Sequence, residues 1–200
     1  MRVEFVFDYR SPYAYLASNQ LKKLGVEIEW KPVDILPVMK LVNNQPSPAC
    51  PPKSRYALLD AGRWAKHYQV DLAPNMALLQ AMREGRIDSA ILPRAGLAAL
   101  ELGVFDQVHD ALFAAVWAGT DDLVSEAGRE AFLERRNLSG NALWRRAADP
   151  ALLARMEGRV KECADRGVFG VPTMFVGDEM FFGNDRLSFV QARVAEGAAA

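Results

Sequence analysis

The residues best placed to do chemistry lie in Asp8-Tyr9-Arg10-Ser11-Pro12-Tyr13. An apolar run from Val3 ends at Asp8, and Ser11-Pro12 then reads as a helix start. Serine is a favoured N-cap and proline a favoured first helical residue. A hydroxyl is thereby set at a helix N-terminus just beyond a strand end. Unpaired backbone N–H groups and the positive end of the helix dipole meet there, and both attract an anion. Ser11 is then either a cap alone or a cap that also holds an anionic ligand. A second stretch, FGVPTMFVGDEMFFGNDR from Phe169 to Arg186, carries Pro172 directly before a strand pattern. Proline lacks the N–H that a central ladder needs, so it suits a strand's first residue. On local physics the Val171-Pro172 peptide is expected to be trans, because cis is the minority form even before proline.

The remaining candidates have plainer readings. Cys50 and Cys163 make no metal or redox motif. Cys163 extends the stripe Leu153, Met156, Val160 and is expected to be a small buried hydrophobe. His67 and His109 are isolated, so they are expected to be surface or partly buried helix residues, and no metal site is expected. Trp64 and Trp117 are expected in the core. Lys53 reads equally as a solvated lysine after a proline-rich loop, and Asn184 or Asp185 as a helix cap.

These residues need elements to position them. Val3 to Phe7 predicts a buried strand, and Pro12 to Leu24 a helix that Gly25 ends. Val26 to Trp30 predicts a second strand, so the start of the chain is a βαβ unit with parallel strands. Residues 43–52, NNQPSPACPP, hold four prolines and are expected to be irregular. From Lys53 to about Asp149 only helical patterns appear, broken at Pro74, Pro93, Gly103, 119–122 and 137–141, which predicts an all-helical insertion. Asp149-Pro150 opens a helix that ends at Gly167. Thr173 to Val176 and Met180 to Phe182 predict an antiparallel hairpin about Gly177-Asp178. A last helix is expected to run to about Ala195, with the final alanines frayed.

The bulk numbers narrow the class. The chain has 200 residues, half of them hydrophobic, and a formal net charge of −1. That is enough chain for a core without staples and too little for several domains. With no dominant basic stretch, nucleic acid is an unexpected partner. No apolar run is long enough to span a bilayer, and no signal peptide is read at the start. A soluble cytoplasmic protein with free thiols is expected.

A split β-α-β and α-β-β-α pattern, with Gly-Val-Pro-Thr before the third strand, resembles the thioredoxin superfamily. The helical insertion makes it similar to the DsbA-like branch. That resemblance implies an α/β, thioredoxin-like (DsbA-like) fold from residues 1–45 and 150–200, with 46–149 as the helical insertion. It also implies a cis Pro172 facing the first helix. Yet Ser11-Pro12-Tyr13-Ala14 stands where oxidoreductases of this fold carry C-x-x-C, so a disulfide cannot be cycled there. Asp8 to Tyr13, Asn44-Gln45-Pro46, Pro52-Lys53, Arg63-Trp64-Ala65 and FGVPTMFVGDEMFFGNDRL further resemble the 2-hydroxychromene-2-carboxylate isomerase family, grouped with the kappa-class glutathione transferases.

This second resemblance implies roles. Ser11 would hold the sulfur of glutathione, the cofactor, as thiolate. Val171 would pair with the peptide backbone beside Pro172. Asn184, Asp185 and Arg186 would bind the γ-glutamyl end. Asn44 and Lys53 would lie near the substrate carboxylate or the tripeptide, with Asn75 and Arg83 as further substrate contacts. The implied reaction is glutathione-dependent cis–trans isomerisation of a small aromatic carboxylate in aromatic hydrocarbon catabolism, by reversible addition of the thiolate to a conjugated double bond. A kappa-class transferase and a non-catalytic thiol-peptide module are the other readings. The apolar insertion offers a surface on which a homodimer could form.

Overall fold

The computed structural model describes residues 2–138 and 140–198. The described residues up to Asp71, with those from Arg159 onward, form one compact unit, and Leu72–Gly158 forms a second.

The first unit is built on a four-stranded sheet in the order β2-β1-β3-β4. Its strands are β1 (Arg2–Phe7), β2 (Glu27–Pro32), β3 (Thr173–Val176) and β4 (Glu179–Phe182). β1 pairs parallel with β2 and antiparallel with β3, and β3 pairs antiparallel with β4. Val3, Phe5 and Phe7 are fully buried, and Val6 on the other face is nearly so. β1 is apolar where both of its faces are covered, from Phe5 to Phe7, while Arg2 and Glu4 reach toward solvent at its start. Around it lie α1 (Pro12–Leu21), α2 (Ile35–Leu41), α3 (Pro51–Tyr68), the latter part of α9 (Pro150–Asp165) and α10 (Leu187–Ala198). Cys163 sits in the cluster of Val160, Val168, Val171 and Phe175. Burial pushes its thiol up to about 11. It is the inert core cysteine the apolar stripe predicts, and both Cys50 and Cys163 are free.

The second unit is helical: α4 (Met76–Arg83), α5 (Ile91–Glu101), α6 (Phe105–Trp117), α7 (Glu126–Glu134), α8 (Ala142–Ala147) and the first part of α9. α5 packs on α6 and α8. Glu101 at the end of α5 pairs with Arg146 at 2.7 Å and also with Arg155.

Four expectations need correction. Pro51-Pro52 do not end the irregular stretch; they open α3, because proline costs nothing where helical N–H groups have no partner anyway. A 3₁₀ turn, Ser47–Ala49, precedes them. His109 is 2 % exposed, not near the surface, and lies between Phe105 and Phe113 at ring separations of 4.5 and 5.2 Å. Asn184 and Asp185 form a 3₁₀ turn, Asn184–Arg186, capped by Gly183 without a side-chain bond. α10 then runs past Ala195 to Ala198, and residues 199 and 200, where fraying was expected, lie outside the described residues. Among the described residues no helix is long and apolar enough to cross a membrane.

Candidate functional site

The site begins at the link from β1 to α1. Asp8 is fully buried, yet both its oxygens are used. Oδ1 accepts from Arg10 Nε and the Arg10 backbone, each at 2.9 Å. Oδ2 accepts from Arg10 Nη2 at 2.5 Å and from the Ile35 N–H at 3.1 Å. Arg10 Nη2 also donates to Asp34 at 2.5 Å. Burial works against the guanidinium charge, but the two carboxylates outweigh it and hold Arg10 far above its ordinary value. The link is thus fixed from inside, and Ser11 follows it, its N–H donating to the Asp8 carbonyl at 3.0 Å.

Ser11 caps α1. Its Oγ accepts from the Ala14 N–H at 3.2 Å and donates to the Val171 carbonyl at 3.3 Å. Pro12 fills the first helical position, and the first turn of α1 holds no carboxylate. The positive end of this helix is therefore uncompensated by an acidic residue of its own turn. Val171-Pro172 is cis, correcting the expectation from local physics and agreeing with the one drawn from the thioredoxin resemblance.

Beside this junction lies a cavity of about 200 Å³, lined by Tyr13, Asp60, Trp64, Val171, Pro172, Phe182, Gly183, Asn184 and Asp185. Tyr13 and α3 make one wall. The Tyr13 hydroxyl is shared between Asp60 Oδ2 at 3.1 Å and the Ala57 carbonyl at 3.3 Å. Burial first, then Asp60, pushes that hydroxyl well above the ordinary tyrosine value, so it stays protonated. Trp64 is half-buried on this wall, tilted against Tyr68 at 5.1 Å, and not in the core; Trp117, at 4 % exposure, is buried as expected.

The Val171–Pro172 segment and the 183–185 turn make the other wall. The Tyr68 hydroxyl donates to the Asn184 carbonyl at 2.7 Å, and Asn184 is itself buried. Gly183 has φ 106°, and a Cβ there would lie 2.5 Å from Asp185 Oδ1. Only glycine allows this turn to bring the Asp185 carboxylate so close. At Gly170 a Cβ would lie 2.8 Å from the Phe182 ring, so a side chain there would displace that ring.

Val171, Pro172, Asn184 and Asp185 line the cavity together, and Ser11, outside that lining, is joined to it by its bond to Val171 across 160 positions. Arg186 is half-exposed and bonded to Asp185 at 2.6 Å. Asn44 does not line the cavity; its Nδ2 donates to the Phe169 carbonyl at 2.6 Å, and so it braces the segment leading to Val171. Lys53 is exposed in the first turn of α3 and also outside the lining. Asn75 and Arg83 belong to the second unit. Asn75 caps α4 through Leu78 and donates to the carbonyls of Ala115 and Asp121, each at 3.0 Å, while Arg83 is exposed at the end of α4. Sequence reasoning missed Tyr13, Asp60, Phe182 and Gly183 as parts of the site. The signal for Asp60 was its helical spacing from Tyr56 and Trp64, which puts all three on one face.

The chain matches the model of the DSBA-like thioredoxin domain family over residues 2–195. A 2-hydroxychromene-2-carboxylate isomerase of Pseudomonas putida is 34% identical over 202 residues, spanning 96% of this chain and 93% of the relative. The glutathione S-transferase kappa 1 of Caenorhabditis elegans is 22% identical over 200 residues, spanning 94% and 88%. A solved structure of a 2-hydroxychromene-2-carboxylate isomerase superposes with a TM-score of 0.82 at 28% identity, covering 99% of this chain and 96% of that one. The mixed sheet, the cap at Ser11 facing Val171-Pro172 and these likenesses agree: the chain belongs to the DsbA-like thioredoxin family and, within it, to the 2-hydroxychromene-2-carboxylate isomerases.

Proposed function

We propose that this chain is a glutathione-dependent cis–trans isomerase that interconverts 2-hydroxychromene-2-carboxylate and trans-o-hydroxybenzylidenepyruvate, or a closely related aromatic pair. The observation that carries the proposal is the Ser11 hydroxyl, set at an uncompensated helix N-terminus within 3.3 Å of the Val171 carbonyl and beside the cavity. The residues present suit glutathione. Ser11 offers a hydroxyl and a positive helix end to an anionic sulfur, and both lower a thiol pKa. Val171 offers main-chain groups to a peptide. Asp185 and Arg186, side by side, carry the two charges that match an α-ammonium and an α-carboxylate. When bound, glutathione supplies a thiolate that adds reversibly to a conjugated carbon–carbon double bond, allows rotation, and is regenerated.

This chain's own residues do the rest. Ser11 donates to the sulfur and keeps it charged at neutral pH. Asn184 and Asp185 hold the γ-glutamyl end. Asn44 fixes the segment that carries Val171. Lys53, free in the first turn of α3, pairs with the substrate carboxylate. The free thiols of Cys50 and Cys163 suit a reducing compartment, and we place the enzyme in the cytoplasm.

The test follows chromene conversion with and without glutathione while total free thiol is measured. Turnover should require glutathione and leave its concentration unchanged. Ser11→Ala should lower kcat by roughly 100-fold, the scale of losing one donor to a developing or stabilised anion, while glutathione still binds. Absence of binding and turnover at millimolar glutathione would sink the proposal. A second reading, glutathione transferase, is favoured by the likeness to the kappa-class enzyme. It predicts steady thiol consumption with an electrophile such as 1-chloro-2,4-dinitrobenzene.

A further inference from the structure

The link between β1 and α1 carries one carboxylate more than its guanidinium can balance. Asp34 stands at the capping position of α2, yet its side chain makes no cap bond there. It turns instead to Arg10 Nη2 at 2.5 Å, and the Ile35 N–H at that helix start goes to Asp8 Oδ2 at 3.1 Å. Asp8 thus serves the helix start and also holds the guanidinium at two of its nitrogens, Nε and Nη2. Asp34 adds a second carboxylate to a cation already paired. Arg10 keeps its charge throughout, so the three groups together carry one net negative charge.

This charge lies where a ligand at Ser11 feels it. Asp8 Oδ1 accepts the N–H of Arg10, the residue next to Ser11, and the Asp8 carbonyl accepts the N–H of Ser11 itself. Asp8 has no contact with solvent, and the side chains of Arg10 and Asp34 are only 13 and 16 % exposed, so water and salt screen the charge little. The first turn of α1 has no acidic residue, and its positive end favours an anion. The link behind it does the opposite. The balance matters because a thiolate held too firmly is a poor nucleophile: its reactivity falls as its pKa falls.

We propose that Asp8, Arg10 and Asp34 form a charge regulator for the thiolate at Ser11: their net negative charge offsets part of the attraction of the helix end and so keeps the sulfur a stronger nucleophile toward the conjugated double bond. This rests on the glutathione reading of the site and adds to it how the reactivity of the sulfur is set. None of the three lines the cavity, so they are positioning residues that act on the sulfur through their field. Asp34 is the member to change, because Asn keeps an oxygen for Arg10, whereas Asp8 uses both of its oxygens. The other charged and titratable groups around the cavity are Tyr13 of α1, Lys53, Asp60 and Arg63 of α3, Tyr68 at its end, and Asp185 and Arg186 of the 184–186 turn. They are the same in the wild-type protein and the variant, so they cancel in the comparison.

The experiment titrates bound glutathione in the wild-type protein and in Asp34→Asn, with the thiolate read by its ultraviolet absorbance. Losing a negative charge favours the charged sulfur. The bound thiol should therefore titrate lower in Asp34→Asn, by roughly one pH unit, the effect of one charge about 10 Å away at the effective dielectric of a protein surface. Asp34→Glu, which restores the charge, should titrate with the wild-type protein. The same difference should appear on a Ser11→Ala background, since a field needs no hydroxyl. The pH profile of chromene conversion at saturating glutathione should move with the titration. Its alkaline plateau should fall by roughly three-fold, as expected when nucleophilicity follows pKa with a slope of about 0.4–0.5. Equal titration in the wild-type protein and Asp34→Asn overturns the regulator while leaving glutathione binding intact. A rate that falls at every pH with an unmoved profile overturns it too, because that is damage to the fold. So does a shift that vanishes in Ser11→Ala, which would mean that Asp34 acts by moving the hydroxyl. A plateau that holds or rises overturns the gain in nucleophilicity. Should Asp34→Asn fail to fold, Asp34→Ser, another favoured residue at a helix start, repeats the test. Failure of glutathione itself to bind removes the functional reading and the regulator with it.

Discussion

At Arg10 a single guanidinium meets two carboxylates, Asp8 and Asp34, directly before the serine that caps α1. Removing it leaves Asp8, which has no contact with solvent, with only the backbone N–H groups of Arg10 and Ile35. Breaking a buried pair in this way costs about 3–5 kcal/mol. Arg10→Ala should lower the stability measured by urea unfolding by that amount. Arg10→Lys should recover only part, because an ammonium cannot reproduce the fork that holds both Asp8 oxygens. Ser11 was legible in the sequence, since a cap followed by proline is a local signal. The Asp8–Arg10–Asp34 network was not. Its sequence looks like a charged turn, and its meaning depends on Asp34 arriving from 24 positions away. Trp64 misled for the opposite reason: an aromatic at helical spacing usually faces a core, and here it faces a cavity.

Among the elements, the hairpin of β3 and β4 decides the shape of the cavity wall. Phe182 ends β4 and lies against Phe169 at 4.4 Å, and its ring passes over Gly170 where a Cβ would stand. Gly170→Ala should therefore push the Phe182 ring off the wall. Phe182 is 41 % exposed and can swing toward solvent, so the loss of stability should be about 1 kcal/mol or less. Glutathione or substrate affinity should fall as it does in Phe182→Ala. The double variant should be no worse than Phe182→Ala alone, because both changes act through one contact; additive losses in binding titrations would show that Gly170 acts elsewhere. The strands of this hairpin and β1 were readable from short β-forming runs bounded by turn residues. The start of α3 was not, because Pro51-Pro52 signals loop and helix start with equal force. The outcome turns on whether the next residues continue a helix, as Lys53 to Tyr68 do.

For the molecule as a whole, the described residues divide into a sheet-bearing unit and a helical one, and every residue lining the cavity belongs to the first. The absence of strand patterns between Lys53 and Asp149 made the helical block legible. The contact of Ser11 with Val171 was not legible from either segment, since no local pattern encodes a bond across 160 positions; resemblance implied only that Pro172 faces the first helix. That same separation has a thermodynamic consequence. A ligand held by Ser11, Val171, Asn184 and Asp185 has no site in the unfolded chain, where these residues are far apart, so it binds the native state alone. At a concentration one hundred times its Kd, such a ligand adds about 2.7 kcal/mol of stability. For a chain of this size each kcal/mol moves the melting midpoint by about 2–4 °C, so glutathione should raise it by about 5–10 °C. If calorimetry resolves two transitions, the one that unfolds the sheet-bearing unit should carry the shift. S-methylglutathione, which keeps the tripeptide but cannot form a thiolate, should shift the midpoint less at equal concentration, and Asp185→Ala should reduce the shift for both. An unchanged midpoint at millimolar glutathione would mean that the native chain does not bind it, and would overturn the glutathione reading.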